Sequence, residues 1–274
     1  MASNGLIRVG AVAYDPRVVP IWEGMRDYFR EAGVPIDYVL YSNYDALVDA
    51  LINRGVDIGW NTNLAYLKVM KRTGDHARVL AMRDVDANFT TVFVARTDTG
   101  VKSLTDVKGK RLALGSADSG QAAILPVHFL QLAGVDPDRD CTVLRFNLDV
   151  GKHGDTGTSE LEALRALRDN EADVTALADA TWIRETTEGR VDTRQIQAFW
   201  TSPEYCHCNF TVLPDFPQAK GEEWTRALLG MTYDNPRWRP LMDQEGLKAW
   251  IQPTLEGYRV LSEAVAHQRL DEKW

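Results

Sequence analysis

The chain has 274 residues, 45% hydrophobic and 26% charged, which is the composition of a folded globular protein with enough length for two domains or one large one. Its formal charge is −8, from 39 acidic against 31 basic residues, which argues against nucleic acid as a partner because such binding draws most of its affinity from clustered cations. Three cysteines, Cys141, Cys206 and Cys208, are too few and too poorly spaced for a disulfide framework, so a reducing compartment is expected. No basic stretch followed by an apolar core opens the sequence, and no window approaches ~18 apolar residues. The chain as written is therefore expected to be cytoplasmic and not membrane-spanning; periplasmic or lipid-anchored residence would need a trimmed leader.

The first elements read strand, helix, strand. Ile7 to Val12 is rich in β-formers and is broken at Tyr14-Asp15-Pro16. Val18, Ile21, Met25, Tyr28 and Phe29 then recur at steps of three and four, which predicts an amphipathic helix ending at Gly33-Val34-Pro35. Ile36 to Tyr41 reads as a strand, Asp45 to Asn53 as a helix, and Val56 to Trp60 as a third strand. This βαβαβ order predicts a mostly parallel sheet with crossover helices. The same grammar returns after residue 100. Strand Arg111 to Gly115 leads through Ser116-Ala117-Asp118-Ser119-Gly120 into a helix from Gln121 to Leu132, with Pro126 a candidate kink. Thr142 to Phe146, the helix Ser159 to Asp169 and the strand Ala172 to Ala176 follow.

Two β-rich runs, Phe89 to Ala95 and Cys208 to Leu213, read as strands crossing between two lobes, and the tail after Glu222 reads mostly as helix. The expected organisation is a discontinuous first lobe (1–88 and 214–274), a second lobe (96–205), and hinge strands at 89–95 and 206–213. Two such strands are a natural device for closure on a ligand.

Several segments place this chain. Gly10-Ala11-Val12-Ala13-Tyr14-Asp15-Pro16, the run Gly55 to Tyr66, the segment Ser103-Leu104-Thr105-Asp106-Val107-Lys108-Gly109-Lys110-Arg111-Leu112-Ala113, and Ser116 to Gly120 at a helix start resemble the type II periplasmic-binding-protein superfamily. The likeness is nearest to its PhnD-like, phosphonate-binding solute-binding components of ABC transporters. The resemblance implies an α/β fold of two lobes, each a mostly parallel sheet flanked by helices, with a small anionic ligand (a phosphonate, phosphate ester or carboxylate) in the cleft between them. It also implies an ABC transporter permease as partner if the protein is exported. Leaderless enzymes, decarboxylases among them, share this superfamily, so a decarboxylase or lyase acting on a small carboxylate is the alternative function.

The candidate ligand residues follow from chemistry. A polar turn at a helix N-terminus offers free N–H groups to an anion, and Ser116, Ser119 and Gly120 sit in one. Asn61 and Thr62 occupy the equivalent strand-to-helix junction of the first lobe, with Trp60, Tyr66 and Tyr14 as flat walls bearing polar tips and Arg83 as a candidate anion clamp. Both junctions also read as ordinary helix caps. His153 and His207 are candidates to hydrogen-bond the anion; in an enzyme, His153, Asp155 and His207 are the candidate acid–base residues. Cys206-His207-Cys208 with His153 and Asp155 could assemble a mixed thiolate, imidazole and carboxylate site suited to zinc or ferrous iron, but a metal is not the expected reading. On an extended strand Cys206 and Cys208 would share one face and His207 the other, and the paired Cys-x-x-Cys spacing of structural zinc sites is missing. No cofactor is implied, since neither a Gly-x-Gly-x-x-Gly nor a phosphate-binding Gly-x-x-x-x-Gly-Lys-[Ser/Thr] loop is present.

Overall fold

A computed structural model describes residues 6–153 and 157–274. In chain order the elements are β1 (Ile7–Val12), α1 (Val18–Glu31), β2 (Ile36–Tyr41), α2 (Tyr44–Ile52), β3 (Ile58–Asn61), α3 (Asn63–Arg72), β4 (Arg78–Arg83), α4 (Asp84–Ala87) and β5 (Thr91–Arg96). There follow β6 (Arg111–Leu114), α5 (Leu125–Leu132), α6 (Pro137–Asp140), β7 (Thr142–Arg145), α7 (Thr158–Arg168), β8 (Val174–Ala178), α8 (Asp179–Thr187) and β9 (Ile196–Thr201). The chain closes with β10 (Asn209–Val212), α9 (Gln218–Leu229), α10 (Arg239–Gln244), β11 (Trp250–Ile251) and α11 (Tyr258–His267).

These elements form two compact units. One comprises the described residues of Met1–Asn88 with Cys206–Tyr258 and Trp274; the other comprises those of Phe89–Tyr205 with Arg259–Lys273.

In the first unit a six-stranded sheet has the order β11-β4-β10-β3-β1-β2. β1 pairs in parallel with β2 and β3, as the βαβαβ pattern predicts, whereas β10 is antiparallel to both β3 and β4. Alternation along β1 splits the core across the sheet. Val9 and Ala11 join Trp22, Phe29, Phe210 and Trp224 on one face, and Val12 joins Leu47, Val48 and Leu51 on the other. The periodic face of α1 is the buried one, with Phe29 stacked 5.1 Å from Trp224.

In the second unit a five-stranded sheet has the order β7-β6-β8-β5-β9. β6 is parallel to β7 and β8, while β5 is antiparallel to β8 and β9. Each sheet is therefore mixed: the first inserts the reversed β10 into a parallel set and carries a second reversed strand, β11, at its edge, the second inserts the reversed β5, and β5 and β10 fall in the two β-rich runs singled out from the sequence. Val92, Val94, Leu164, Leu167 and Leu177 build the core between this sheet and α7.

Pro126 does not kink a continuous α-helix. The helix opens with a π-helical turn, Gly120–Ile124, and α5 starts after it with Pro126 in its first positions. Proline has no N–H to donate there, so a wider turn ahead of it loses no hydrogen bond. Among the described residues no helix is long and apolar enough to cross a membrane.

Candidate functional site

In the first unit β3 runs straight into α3 at the C-terminal end of the parallel strands, where open α/β sheets place ligands. Thr62 caps α3: its hydroxyl accepts from the Ala65 N–H at 3.3 Å. Asn63 accepts from the Leu64 N–H at 2.8 Å and donates through Nδ2 to the Cys206 carbonyl at 3.3 Å. Asn61 is wholly buried, and neither end of its carboxamide has a hydrogen-bond partner. An orphaned buried amide costs on the order of 1–3 kcal/mol, so its presence at a strand end calls for an explanation. Tyr14, just past β1, is half-buried against the same core.

The aromatic candidates are packed more deeply than walls of a binding pocket need to be. Trp60 is 7% exposed, with its ring 4.4 Å from Phe210 and 5.9 Å from Trp250. Tyr66 lies 4.6 Å from the Tyr258 ring, and burial raises its pKa.

Arg83 is committed within the protein. Its guanidinium sits over the Trp60 ring at 5.4 Å. It grips Asp86 with two prongs, Nε to Oδ2 at 2.6 Å and Nη2 to Oδ1 at 2.9 Å, and donates through Nη1 to the Glu245 carbonyl at 2.8 Å. Asp86 has no exposure. Burial pushes its pKa up, but the charge and hydrogen bonds of Arg83, helped by His207, outweigh that and hold it at about 2.

His207 belongs to this cluster. Its Nδ1 lies 3.0 Å from the Cys208 sulfur and 3.5 Å from Asp86 Oδ1, and its backbone N–H donates to the Asp86 carbonyl at 2.9 Å. Residues 206–208 precede β10 and are not part of a strand, so the alternation expected for Cys206-His207-Cys208 does not hold. Cys206 turns elsewhere, donating its thiol hydrogen to the Thr254 carbonyl at 3.3 Å.

In the second unit β6 leads through Ser116–Ser119 into the π-helical turn. Ser116 accepts from the Asp149 N–H at 2.9 Å, which fastens the turn to the loop after β7. Ser119 caps the helix, its hydroxyl accepting from the Ala122 N–H at 3.2 Å and its carbonyl from Ile124 at 2.9 Å. Gly120 is the first residue of the turn. Asp118 accepts from the Gly151 N–H at 2.8 Å and stands 3.7 Å from His153 Nε2. His153 is 2% exposed and holds a left-handed backbone (φ 52°), an uncommon conformation for a residue with a side chain. Asp155 lies outside the described residues, so its pairing with His153 is not placed. His153 belongs to the second unit and His207 to the first.

Three buried polar groups here had no distinctive sequence signal. Glu160, 1% exposed, accepts from Gln121 Nε2 at 2.9 Å and from the Ala178 N–H at 3.2 Å. Asp149 accepts from the Ser159 N–H at 2.8 Å. The Ser159 hydroxyl is buried without a partner. An acid in the first turn of a helix is so ordinary that its burial could not be read from spacing.

Comparison with known proteins agrees with this architecture. Over 248 residues the chain is 23% identical to a probable ABC transporter phosphite-binding protein, PhnD1, of Prochlorococcus marinus, covering 87% of this chain and 80% of that one. The structure of PhnD1 from that organism in complex with methylphosphonate superposes with a TM-score of 0.75 at 20% identity, covering 96% of this chain and 98% of that one. XAC2383 from Xanthomonas citri, solved bound to ATP, gives 0.72 at 20% identity over 97% and 98%. The aliphatic sulphonate-binding protein SsuA of Escherichia coli gives 0.58 at 13% over 97% and 84%, so the fold is that of the type II periplasmic binding proteins. The model of the family described as the phosphonate periplasmic substrate-binding protein of ABC transporters matches residues 11–258, and the chain belongs to that family.

Proposed function

We propose that this protein captures a small oxyanion of the phosphonate, phosphate-ester or carboxylate class and presents it to an ABC transporter permease. The observation that carries the reading is the pair of strand-to-helix turns, one in each unit. Asn61-Thr62-Asn63 opens α3, and Ser116 to Gly120 opens the π-helical turn before α5. Such turns combine outward-facing N–H groups with the positive end of the helix dipole, so they hold an anion without a free cation. That matters here because Arg83, the guanidinium expected to clamp the ligand, is already engaged by Asp86. The unpaired Asn61 amide supplies a further donor close to the first turn. His153 is retained as a ligand contact of the second unit. The relative solved with methylphosphonate makes a phosphonate the first ligand to try.

The test is calorimetric titration of the purified chain with methylphosphonate, inorganic phosphate and phosphite. Asn61→Leu and Ser119→Ala are each expected to weaken binding at least tenfold. Unaltered affinity in both variants would refute the proposed turns. Ligand recovered unchanged after long incubation fits capture. Turnover that His153→Ala and His207→Ala abolish would establish the decarboxylase or lyase alternative instead. Fractionation of cells carrying the full-length gene product separates the cytoplasmic residence favoured by three cysteines outside any disulfide from the periplasmic residence in the family's description.

A further inference from the structure

The anion-binding turns leave the buried cluster beside Arg83 unused. Asp86, His207 and Cys208, exposed by 0, 4 and 3%, all lie in the first unit. One ligand atom from each falls within 4.8 Å of the others. We propose that Asp86, His207 and Cys208 form a binding site for a zinc-type divalent cation, bound through one carboxylate oxygen, one imidazole nitrogen and one sulfur.

The geometry favours this over nucleophilic catalysis. In a thiol–imidazole–carboxylate relay one ring nitrogen faces the nucleophile and the other faces the carboxylate. Here the same nitrogen, Nδ1, faces both, at 3.0 Å from Cys208 Sγ and 3.5 Å from Asp86 Oδ1. Three atoms converging on one point is what a shared ion requires. Zinc-to-ligand bonds of about 2.0–2.3 Å at tetrahedral angles put neighbouring donor atoms roughly 3.3–3.6 Å apart, so the His207–Asp86 separation of 3.5 Å already fits and the His207–Cys208 separation of 3.0 Å needs about half an ångström of opening. The donor set also selects the ion. A thiolate with an imidazole suits zinc and its neighbours and not magnesium or calcium, and three protein donors leave a fourth position for water.

The supporting shell is already in place. Arg83 holds the Asp86 carboxylate from behind with two hydrogen bonds, as outer partners commonly orient ligating carboxylates. The bond from the His207 N–H to the Asp86 carbonyl ties α4 to the segment that carries the other two ligands. Binding displaces the thiol proton of Cys208 to solvent, so affinity rises with pH. Cys206, two residues away, is excluded because its sulfur is turned to Thr254. That asymmetry provides the control.

The test uses the intact chain, stripped with a chelator and free of any phosphonate, so its outcome is independent of the anion-binding reading. Cobalt(II) is added stepwise while the near-ultraviolet sulfur-to-cobalt band and the visible bands are followed; zinc(II) is then measured by competition with a chromogenic chelator. One ion per chain is expected, with thiolate absorption. Cys208→Ser should abolish that absorption and weaken zinc at least tenfold, whereas Cys206→Ser should leave both intact. Cys208 packs in the core of the first unit, so if Cys208→Ser does not fold, His207→Gln replaces it, with the same loss of affinity expected. Wild-type protein without a cobalt–thiolate band at stoichiometric metal would overturn the proposal. So would equal behaviour of the Cys206 and Cys208 variants.

Discussion

Replacing Arg83 with methionine tests whether this arginine is a structural counter-ion or a solvated surface cation. The substitution keeps most of the apolar stem but removes the guanidinium that lies over Trp60, with its donors to Asp86 and to the Glu245 carbonyl. It leaves a carboxylate with no solvent exposure without its charged partner, beside His207 and Cys208. Breaking one side of a buried pair typically costs ~3–5 kcal/mol, because the remaining charge is desolvated without compensation. The Arg83 side chain is 18% exposed, so the pair is partly hydrated and the lower end, about 3 kcal/mol, is expected. Urea denaturation at pH 7 with a chelator present, followed by tryptophan fluorescence, measures it. Arg83→Met/Asp86→Leu should recover most of the loss, since an apolar replacement of both partners is often neutral. A cost below about 1 kcal/mol, the range of exposed ion pairs, would refute the assignment, as would a double variant no better than the single one.

The same pair predicts an acid limb. The Asp86 pKa falls from 3.8 to about 2 on folding, so its contribution is complete above about pH 4 and is lost as pH drops through about 2. At ~1.4 kcal/mol per unit that amounts to roughly 2 kcal/mol, and Arg83→Met should flatten this limb in a pH series of urea midpoints. At the other turn, a Cβ added at Gly115 would meet the Ala122 Cβ at 2.7 Å and the Ser159 hydroxyl at 3.1 Å. Gly115→Ala should therefore cost about 1–3 kcal/mol and lower the melting temperature measurably; an unchanged midpoint would mean that the π-helical turn yields freely.

Much of the architecture was legible because it rests on local, repeating chemistry. The three-and-four spacing of Val18, Ile21, Met25, Tyr28 and Phe29 marked α1, and the β-rich runs marked β5 and β10. The residues bounding the two turns stood out for the same reason, since Ser, Thr and Asn before a periodic run are cap chemistry at any helix start. Strand direction was less accessible. Composition marks a strand as buried but not as reversed, so the antiparallel insertions of β5 and β10 emerged only from their pairings.

The site shows the same division. Sequence alone supplied the reactive side chains to consider, among them His153, His207, Arg83 and the three cysteines. Their partners were settled by contacts between segments remote in the chain. Arg83 meets Asp86 locally but also the Glu245 carbonyl 162 positions away, and His207 meets Asp86 only because the segment before β10 returns to α4. Sequence periodicity also set Cys206 and Cys208 on one face and His207 on the other; the backbone at 206–208, held by hydrogen bonds and not by a strand ladder, turned His207 towards Cys208 instead. Charge pairing and burial are properties of the folded packing, and a one-dimensional pattern records the side chains available without recording which of them lose water together.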